Sequence, residues 1–189
     1  MADAGRVIAG SARGLRLEAP GPGTRPLGDR VKQTLFAILE LDLPGARILD
    51  LFAGSGAAGI EALSRGAGHA TFVERDKTAA RVIAGNLART HLEDRATIVT
   101  ADAIAWLRRP ETATAGPFAV TFLDPPYAET ALLVAALEAL EPRVGLGARV
   151  IAKHFWRDRP PAQVGLLASE RERRFGETAL TFYRRQEDR

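Results

Sequence analysis

Residues 48–63 read ILDLFAGSGAAGIEAL, and this stretch organises the rest of the chain. Apolar Ile48, Leu49 and Leu51 with Asp50 among them form a strand. The corner Phe52-Ala53-Gly54-Ser55-Gly56 interrupts it, and an apolar run resumes at once as a helix. Gly54, Gly56 and Gly59 fit G-x-G-x-x-G, in which small residues permit a tight turn, close backbone approach to a ligand and close packing of helix on strand. A ligand of this corner therefore sits over a helix N-terminus. The spacing alone does not choose the ligand, because dinucleotides and S-adenosylmethionine both use such corners.

Downstream, residues 70–74 (ATFVE) form a short strand ending in Glu74. In a doubly wound fold a carboxylate at that place grips ribose hydroxyls, and Arg75 adjoins it. Residues 77–92 are predicted as a helix with Ala80, Ile83, Ala84 and Leu87 on its buried stripe. His69 and His91 lie in polar settings and read as solvated. A third strand, residues 96–101, leads to Asp102 and Ala103 at its carboxyl end, where ligand contacts gather in open parallel sheets. Asp102 is expected to receive an adenine amino group, to cap the helix over 103–108, or both. Residues 109–117 read as an exposed loop.

The second decisive feature follows the fourth strand, residues 118–123 (FAVTFL), which runs into Asp124-Pro125-Pro126-Tyr127. Two prolines cannot continue a parallel strand, so the chain leaves the sheet there with a rigid backbone and free carbonyls. Asp124 and the Pro125 carbonyl can accept both hydrogens of a planar amine, while Tyr127 stacks on the base that bears it. Direct attack on a sulfonium methyl then needs only proximity and orientation. Methylation at cytosine C5 by the usual cysteine adduct is excluded, because the chain has no cysteine; disulfides and thiolate zinc sites go with it.

Upstream of the opening stretch, residues 6–18 (RVIAGSARGLRLE) suggest a two-stranded ribbon turning near residues 12–14, with Arg6, Arg13 and Arg16 on or near it. Residues 20–28 are a loop carrying Arg25, too rich in proline and glycine for regular structure. Asp29 is positioned to cap a helix whose apolar stripe is Val31, Leu35, Ile38 and Leu39, with Arg30 and Lys32 off that stripe. After the fourth strand come a helix over 130–140, a strand over 148–152, and an antiparallel pair over 166–174 and 178–184. Phe155 and Trp156 read as core or lid packing, and Arg171, Arg173 and Arg174, which alternate with acids, as a solvated face.

Composition bounds the rest. A chain of 189 residues holds one well-buried domain with a small appendage, and 46% hydrophobic with 26% charged residues is ordinary for a globular protein. No run reaches the ~20 apolar residues of a membrane span, and MADAGRVIAG lacks a signal peptide's apolar region, so a cytoplasmic protein without membrane attachment is expected. Net charge +3 with a pI near 9.8 is compatible with a polyanionic partner.

The pairing of Asp124-Pro-Pro-Tyr with Phe52-Ala53-Gly54-Ser55-Gly56 resembles the signature of the amino-methyltransferases, which use S-adenosylmethionine on exocyclic nitrogens of bases. More narrowly, the chain resembles the bacterial family that methylates the N2 amine of a guanine in 16S rRNA. The match runs through Arg6-Val-Ile-Ala-Gly, Arg13-Gly14, Arg25-Pro26, residues 29–36 and 50–61, Leu63-Ser64-Arg65-Gly66-Ala67, residues 124–127 and residues 175–180, nearly the whole chain. Leu27-Gly28 departs from the small hydroxyl residues of the pattern, and Lys153-His154 stands where an acid is more usual.

The resemblance implies a Rossmann-like class I methyltransferase, α/β, with a seven-stranded mostly parallel sheet, an antiparallel last strand and a small N-terminal β-hairpin. It divides the chain into a basic hairpin and loop over 1–28, for RNA, and a methyltransferase domain over 29–189. It implies Asp124, Pro125, Pro126 and Tyr127 as catalytic residues. The cofactor residues would be Asp50, Phe52, Ala53, Gly54, Ser55, Gly56, Glu74, Arg75, Asp102, Ala103 and Asp124. RNA contacts would fall to Arg6, Arg13, Arg16, Arg25, Arg30 and Lys32. The donor is S-adenosylmethionine, leaving S-adenosylhomocysteine, with no metal. The partner is 16S rRNA within the small subunit or an assembly intermediate, and the enzyme is expected to act as a monomer. Two other readings stay open: a DNA adenine-N6 methyltransferase and an NAD-dependent oxidoreductase.

Overall fold

The computed structural model describes residues 2–21, 27–126 and 129–188. A two-stranded antiparallel ribbon, β1 (Ala2–Arg6) and β2 (Arg16–Ala19), precedes helix α1 (Asp29–Ile38). Next come β3 (Arg47–Leu51), α2 (Ala57–Ser64), β4 (His69–Glu74), α3 (Lys77–Thr90), β5 (Ala96–Thr100) and α4 (Ala103–Leu107). β6 (Phe118–Leu123), α5 (Thr130–Leu140), β7 (Val144–Phe155), β8 (Gln163–Val164), β9 (Leu167–Phe175) and β10 (Thr178–Arg185) complete the chain.

The main sheet has the order β5-β4-β3-β6-β7-β10-β9-β8. The five strands from β3 to β7 are parallel to one another, and β10 runs antiparallel to both β7 and β9. The sheet differs from the expected seven strands by the two residues of β8, which pair with β9. Tyr183 Oη donates to the Pro161 carbonyl at 2.7 Å and pins the loop before β8 against the sheet edge. β7 is longer than residues 148–152 because β10 pairs with it from Arg149 to Phe155.

Side chains alternate across the sheet. Ile48, Phe72, Phe122 and Phe182 face a layer holding α1, α2 and α3, while Leu49, Leu51, Val73, Val150 and Tyr183 face α4 and α5. Asp50 shares the parity of Ile48 and therefore points beneath α2. In α3 the buried stripe takes Asn86 rather than Ala84, which is exposed. Asn86 is satisfied there, because it accepts from the Glu18 N–H at 2.9 Å and donates to the Glu18 and Ser55 carbonyls at 2.9 and 3.0 Å.

The ribbon departs from the expected span: its strands lie at either end of the predicted segment, and residues 7–15 between them lie against α2. Buried Glu61 accepts from the Ile8 and Ala9 N–H groups at 2.7 and 3.1 Å, and Arg65 Nε donates to it at 2.7 Å. Ser64 Oγ donates to the Ala9 carbonyl at 2.6 Å and accepts from the Ala12 N–H at 3.0 Å. Gly10 passes so close that a Cβ on it would lie 1.8 Å from the Ser64 carbonyl oxygen. Ala4, Val7, Ala12, Leu17 and Ala19 join the same apolar cluster as Phe36, Ile60 and Phe72.

Two expectations around α1 are corrected. Gly28, not Asp29, is the N-cap, without a side-chain bond; Asp29 instead accepts from Arg6 Nε at 3.0 Å. Lys32 is wholly buried, and its ammonium donates to the Arg6 carbonyl, which ties α1 to the ribbon. Burial pushes its pKa below the usual lysine value, with the Glu61 charge opposing the shift.

Candidate active site

The first strand of the parallel set, β3, has β4 on one side and β6 on the other, so the chain reverses its winding direction there. Such a switch point opens a crevice at the carboxyl ends of the strands. A cavity of ≈ 840 Å³ occupies it, within the ~300–1,000 Å³ usual for small-molecule sites.

One wall is the glycine corner. Gly54 and Gly56 have φ of 55° and 74°, in the left-handed region that favours glycine, and Phe52 joins them at 59°. A bulky residue held there is costly, so the surrounding bonds impose the shape. Ala53 N–H donates to the Val73 carbonyl at 3.2 Å, Gly56 N–H to the Ala53 carbonyl at 2.7 Å, and Gly54 N–H to Glu74 Oε2 at 2.9 Å. At Gly59 a Cβ would lie 2.3 Å from the Phe72 ring, which is why the helix can sit so close to β4. Beneath it Asp50 Oδ2 accepts from the Gly59 N–H at 2.9 Å. Burial pushes the Asp50 carboxyl up to about 8; the Gly59 bond opposes the shift, and the charges of Asp124 and Glu74 add to it.

The opposite wall is the end of β6. Asp124 N–H donates to the Leu51 carbonyl at 3.3 Å, so the acid stands directly beside the glycine corner. Lys153 Nζ donates to Asp124 Oδ2 at 2.8 Å, with the lysine side chain 9% and the aspartate 36% exposed. Burial raises the Asp124 pKa, and Lys153 opposes that rise through its charge and its hydrogen bond. Lys153 is the site residue that sequence reading left unassigned. The signal for it is register: Leu123 pairs with Ala152, so the next residue on each strand, Asp124 and Lys153, are neighbours.

The structure brings most of the expected cofactor residues together. Asp50, Phe52, Ala53, Gly54, Ser55, Glu74, Arg75, Asp102, Ala103 and Asp124 all line the cavity, as do Pro125 and Pro126. Gly56 lies behind the wall, as the N-cap of α2. Asp102 caps α4 through a 2.9 Å bond from the Ala105 N–H while facing the cavity, so capping and ligand contact are compatible. Tyr127 and Arg25 lie outside the described residues. Arg13 and Arg30 are exposed; Arg6 is 60% and Arg16 75% exposed while paired with Asp29 and Asp3. Lys32 leaves the set of RNA-facing cations, since its ammonium is engaged inside the ribbon. His69 accepts from or donates to Thr97 Oγ1 at 2.9 Å, and His91 is exposed at the C-cap of α3.

This strand order, with the glycine corner after the first parallel strand and an acid after the fourth, is the fold of the S-adenosylmethionine-dependent methyltransferases. The chain belongs to the family described as Conserved hypothetical protein 95, which it matches over residues 5–184. It is 38% identical over 186 residues to "Putative rRNA methyltransferase YlbH" of Bacillus subtilis (strain 168), covering 95% of this chain and 98% of that protein. With ribosomal RNA small subunit methyltransferase D of Escherichia coli (strain K12) it shares 42% identity over 123 residues, 65% of this chain and 60% of that one. The solved structure of a hypothetical protein of Thermus thermophilus superposes with a TM-score of 0.78 at 36% identity, covering 94% of this chain and 97% of that one.

Proposed function

We propose that this chain transfers a methyl group from S-adenosylmethionine to the exocyclic N2 amine of a guanine in 16S rRNA. The observation that carries the reading is Asp124, an acid held by Lys153 at the rim of the cofactor cleft, on a backbone that two prolines remove from the sheet. With one oxygen engaged by Lys153, the other is left to accept an amine hydrogen and to turn the nitrogen lone pair into the cleft. The donor supplies an electrophilic sulfonium methyl. The amine nitrogen forms the new bond to carbon, the sulfur keeps the electron pair of the broken one, and the displaced proton passes to solvent at the open rim. Tyr127 stacks on the flipped base, a contact of roughly 1–3 kcal/mol that offsets much of the cost of flipping.

The cleft suits the donor. Glu74, Asp102 and Asp124 place carboxylates around it, which favours a ligand with a sulfonium and an ammonium and disfavours a dinucleotide pyrophosphate. Glu74 keeps acceptor capacity for ribose hydroxyls beyond the bonds it takes from Gly54 and Asp76. The names of the two rRNA methyltransferase relatives support RNA as the acceptor. In this reading residues 1–28 form the RNA arm, through Arg6, Arg13, Arg16 and Arg25 with Arg30 beside them. Residues 29–189 form the catalytic domain, acting in the cytoplasm as a monomer on small subunits or their assembly intermediates.

The test is transfer of a labelled methyl group to small subunits from cells lacking the enzyme, followed by mapping of the modified nucleotide. Incorporation at a guanine N2 supports the reading. Incorporation into duplex DNA but not into subunits replaces it with the adenine-N6 alternative, and tight binding of NAD without binding of S-adenosylhomocysteine replaces it with the oxidoreductase.

A further inference from the structure

The carboxyl edge of the sheet carries a second basic group that the N-terminal ribbon does not include. Trp156 follows β7, and its N–H donates to the Glu177 carbonyl at 3.0 Å. The Arg174 guanidinium carbon lies 3.6 Å from the centroid of the Trp156 ring, and that of Arg157 lies 4.8 Å away. Arg174 Nε also donates to the Gly176 carbonyl at 2.8 Å, so its plane is held from two sides. The indole is half-buried, whereas Arg157, Arg173 and Arg174 are exposed. Trp156 is thus not in the core, and Arg174 is exposed as expected but engaged with the indole.

The charges around the ring are unbalanced. Residues 156–159 and 171–177 hold five arginines against Asp158, Glu172 and Glu177. Glu172 is taken by Arg159 at 3.2 Å. Among the described residues neither Arg157 nor Arg174 is ion-paired with a carboxylate. Two guanidinium groups on one indole repel each other, and an anion that joined them would relieve the repulsion. A guanidinium over an indole face keeps terminal N–H donors for other partners, in the fork that matches a phosphate. Because the forks are already ordered, less entropy is lost on binding.

Position matches this chemistry. Asp124 is level with Lys153, and Trp156 stands three residues further on, ~10 Å along the strand direction and ~5 Å across. Arg174 lies opposite Ala179, itself opposite His154. The ribbon is bound to α2 and α3, on the β4 side of the crevice, and Trp156 stands on the β7 side. Trp156 thus directly follows the strand that carries Lys153, the partner of Asp124.

We propose that Trp156, Arg157 and Arg174 form a second RNA-binding surface, which grips phosphates of single-stranded nucleotides flanking the target base. The proposal rests on the reading of the acceptor as RNA. Its test is a salt titration of binding to a fluorescein-labelled single-stranded RNA oligonucleotide, with S-adenosylhomocysteine binding as the control for an intact fold. Replacing both arginines, R157A/R174A, removes two phosphate contacts and lowers the slope of log K against log salt by about 1.4, at ~0.7 per contact on a single strand. Trp156→Ala lowers the slope although both arginines remain, and Trp156→Phe restores it. On small subunits the double variant raises KM roughly tenfold with kcat nearly unchanged. A wild-type slope in R157A/R174A, or wild-type protein that does not bind the oligonucleotide, overturns the proposal. Wild-type protein that binds the oligonucleotide but does not methylate subunits overturns the rRNA reading instead and leaves this surface standing.

Discussion

Two carboxylates of the same cleft, Asp50 and Asp124, differ in what answers their burial. Asp50 lies wholly under α2 with, among the described residues, one hydrogen-bond partner, the Gly59 N–H, and its pKa is pushed up to about 8. Asp124, one strand away, meets the ammonium of Lys153 at 2.8 Å, which pulls against the same upward push. A buried acid with one neutral donor tends to keep its proton; one beside a cation keeps its charge. The cleft thus holds two acids whose burial is answered differently, one by a neutral donor beneath α2 and one by a cation at the rim.

Removing the rim acid has the largest expected effect. Asp124→Ala lowers turnover roughly 100- to 1000-fold, the scale of losing a preorganised electrostatic contact, while calorimetric titration with S-adenosylhomocysteine still shows binding. Near-normal methyl transfer by this variant removes Asp124 from its role.

Lys153→Met makes Asp124 resemble Asp50. Burial then acts unopposed, the Asp124 pKa rises further, and the acidic limb of the kcat profile moves to higher pH. Activity lost on the acidic side of the profile returns as the pH is raised, and Lys153→Arg retains most of it. An unmoved acidic limb breaks the link between the lysine and the acid.

Asp50→Asn tests the other half through stability. The folded-state pKa lies near 8 and the reference value is 3.8, so the folded chain binds more protons than the unfolded chain between these values. Its stability therefore falls as pH rises from about 4 to about 8. The amide variant escapes this loss. Its Tm matches wild type near pH 4 and exceeds it by on the order of 10–20 °C at pH 9, because a shift from 3.8 to about 8 corresponds to roughly 6 kcal/mol at ~2–4 °C per kcal/mol for a chain of this size. A constant Tm difference across that range shows that Asp50 does not titrate as described.

The smallest effect belongs to the periphery. Arg13→Ala in the exposed turn of the ribbon lowers the salt slope of RNA binding by about one unit or less, at ~0.7–0.9 per phosphate contact, without touching the pH behaviour of either acid. An unchanged slope makes that turn an ordinary solvated surface.

The glycine corner and the Asp124 turn were legible in the sequence because their constraints are local. Gly54 and Gly56 take positive φ, and Pro125-Pro126 cannot pair in a sheet whatever surrounds them. Richness in Ala and Leu marked α5 at its observed bounds, Thr130–Leu140, and periodicity marked the buried Leu35 of α1 and Ile83 of α3. It failed where a polar side chain is buried for a distant partner. Asn86 occupies the buried stripe of α3 to bind Glu18 and Ser55, and a hydrophobic pattern cannot show that. Lys32, a cation beside Arg30 in sequence, turned inward because the Arg6 carbonyl waits there.

By itself the sequence determined the doubly wound order of elements, the place of the cofactor corner and the identity of the acid at the rim, since each depends on residues within one turn of chain. The tertiary structure alone decided which charges meet. Register between β6 and β7 set Lys153 against Asp124, and the parity of β3 put Asp50 under α2. The pairing of β9 with β10 brought Arg174 onto Trp156. Charge energies depend on distance and burial across strands far apart in sequence, and only the folded sheet supplies those.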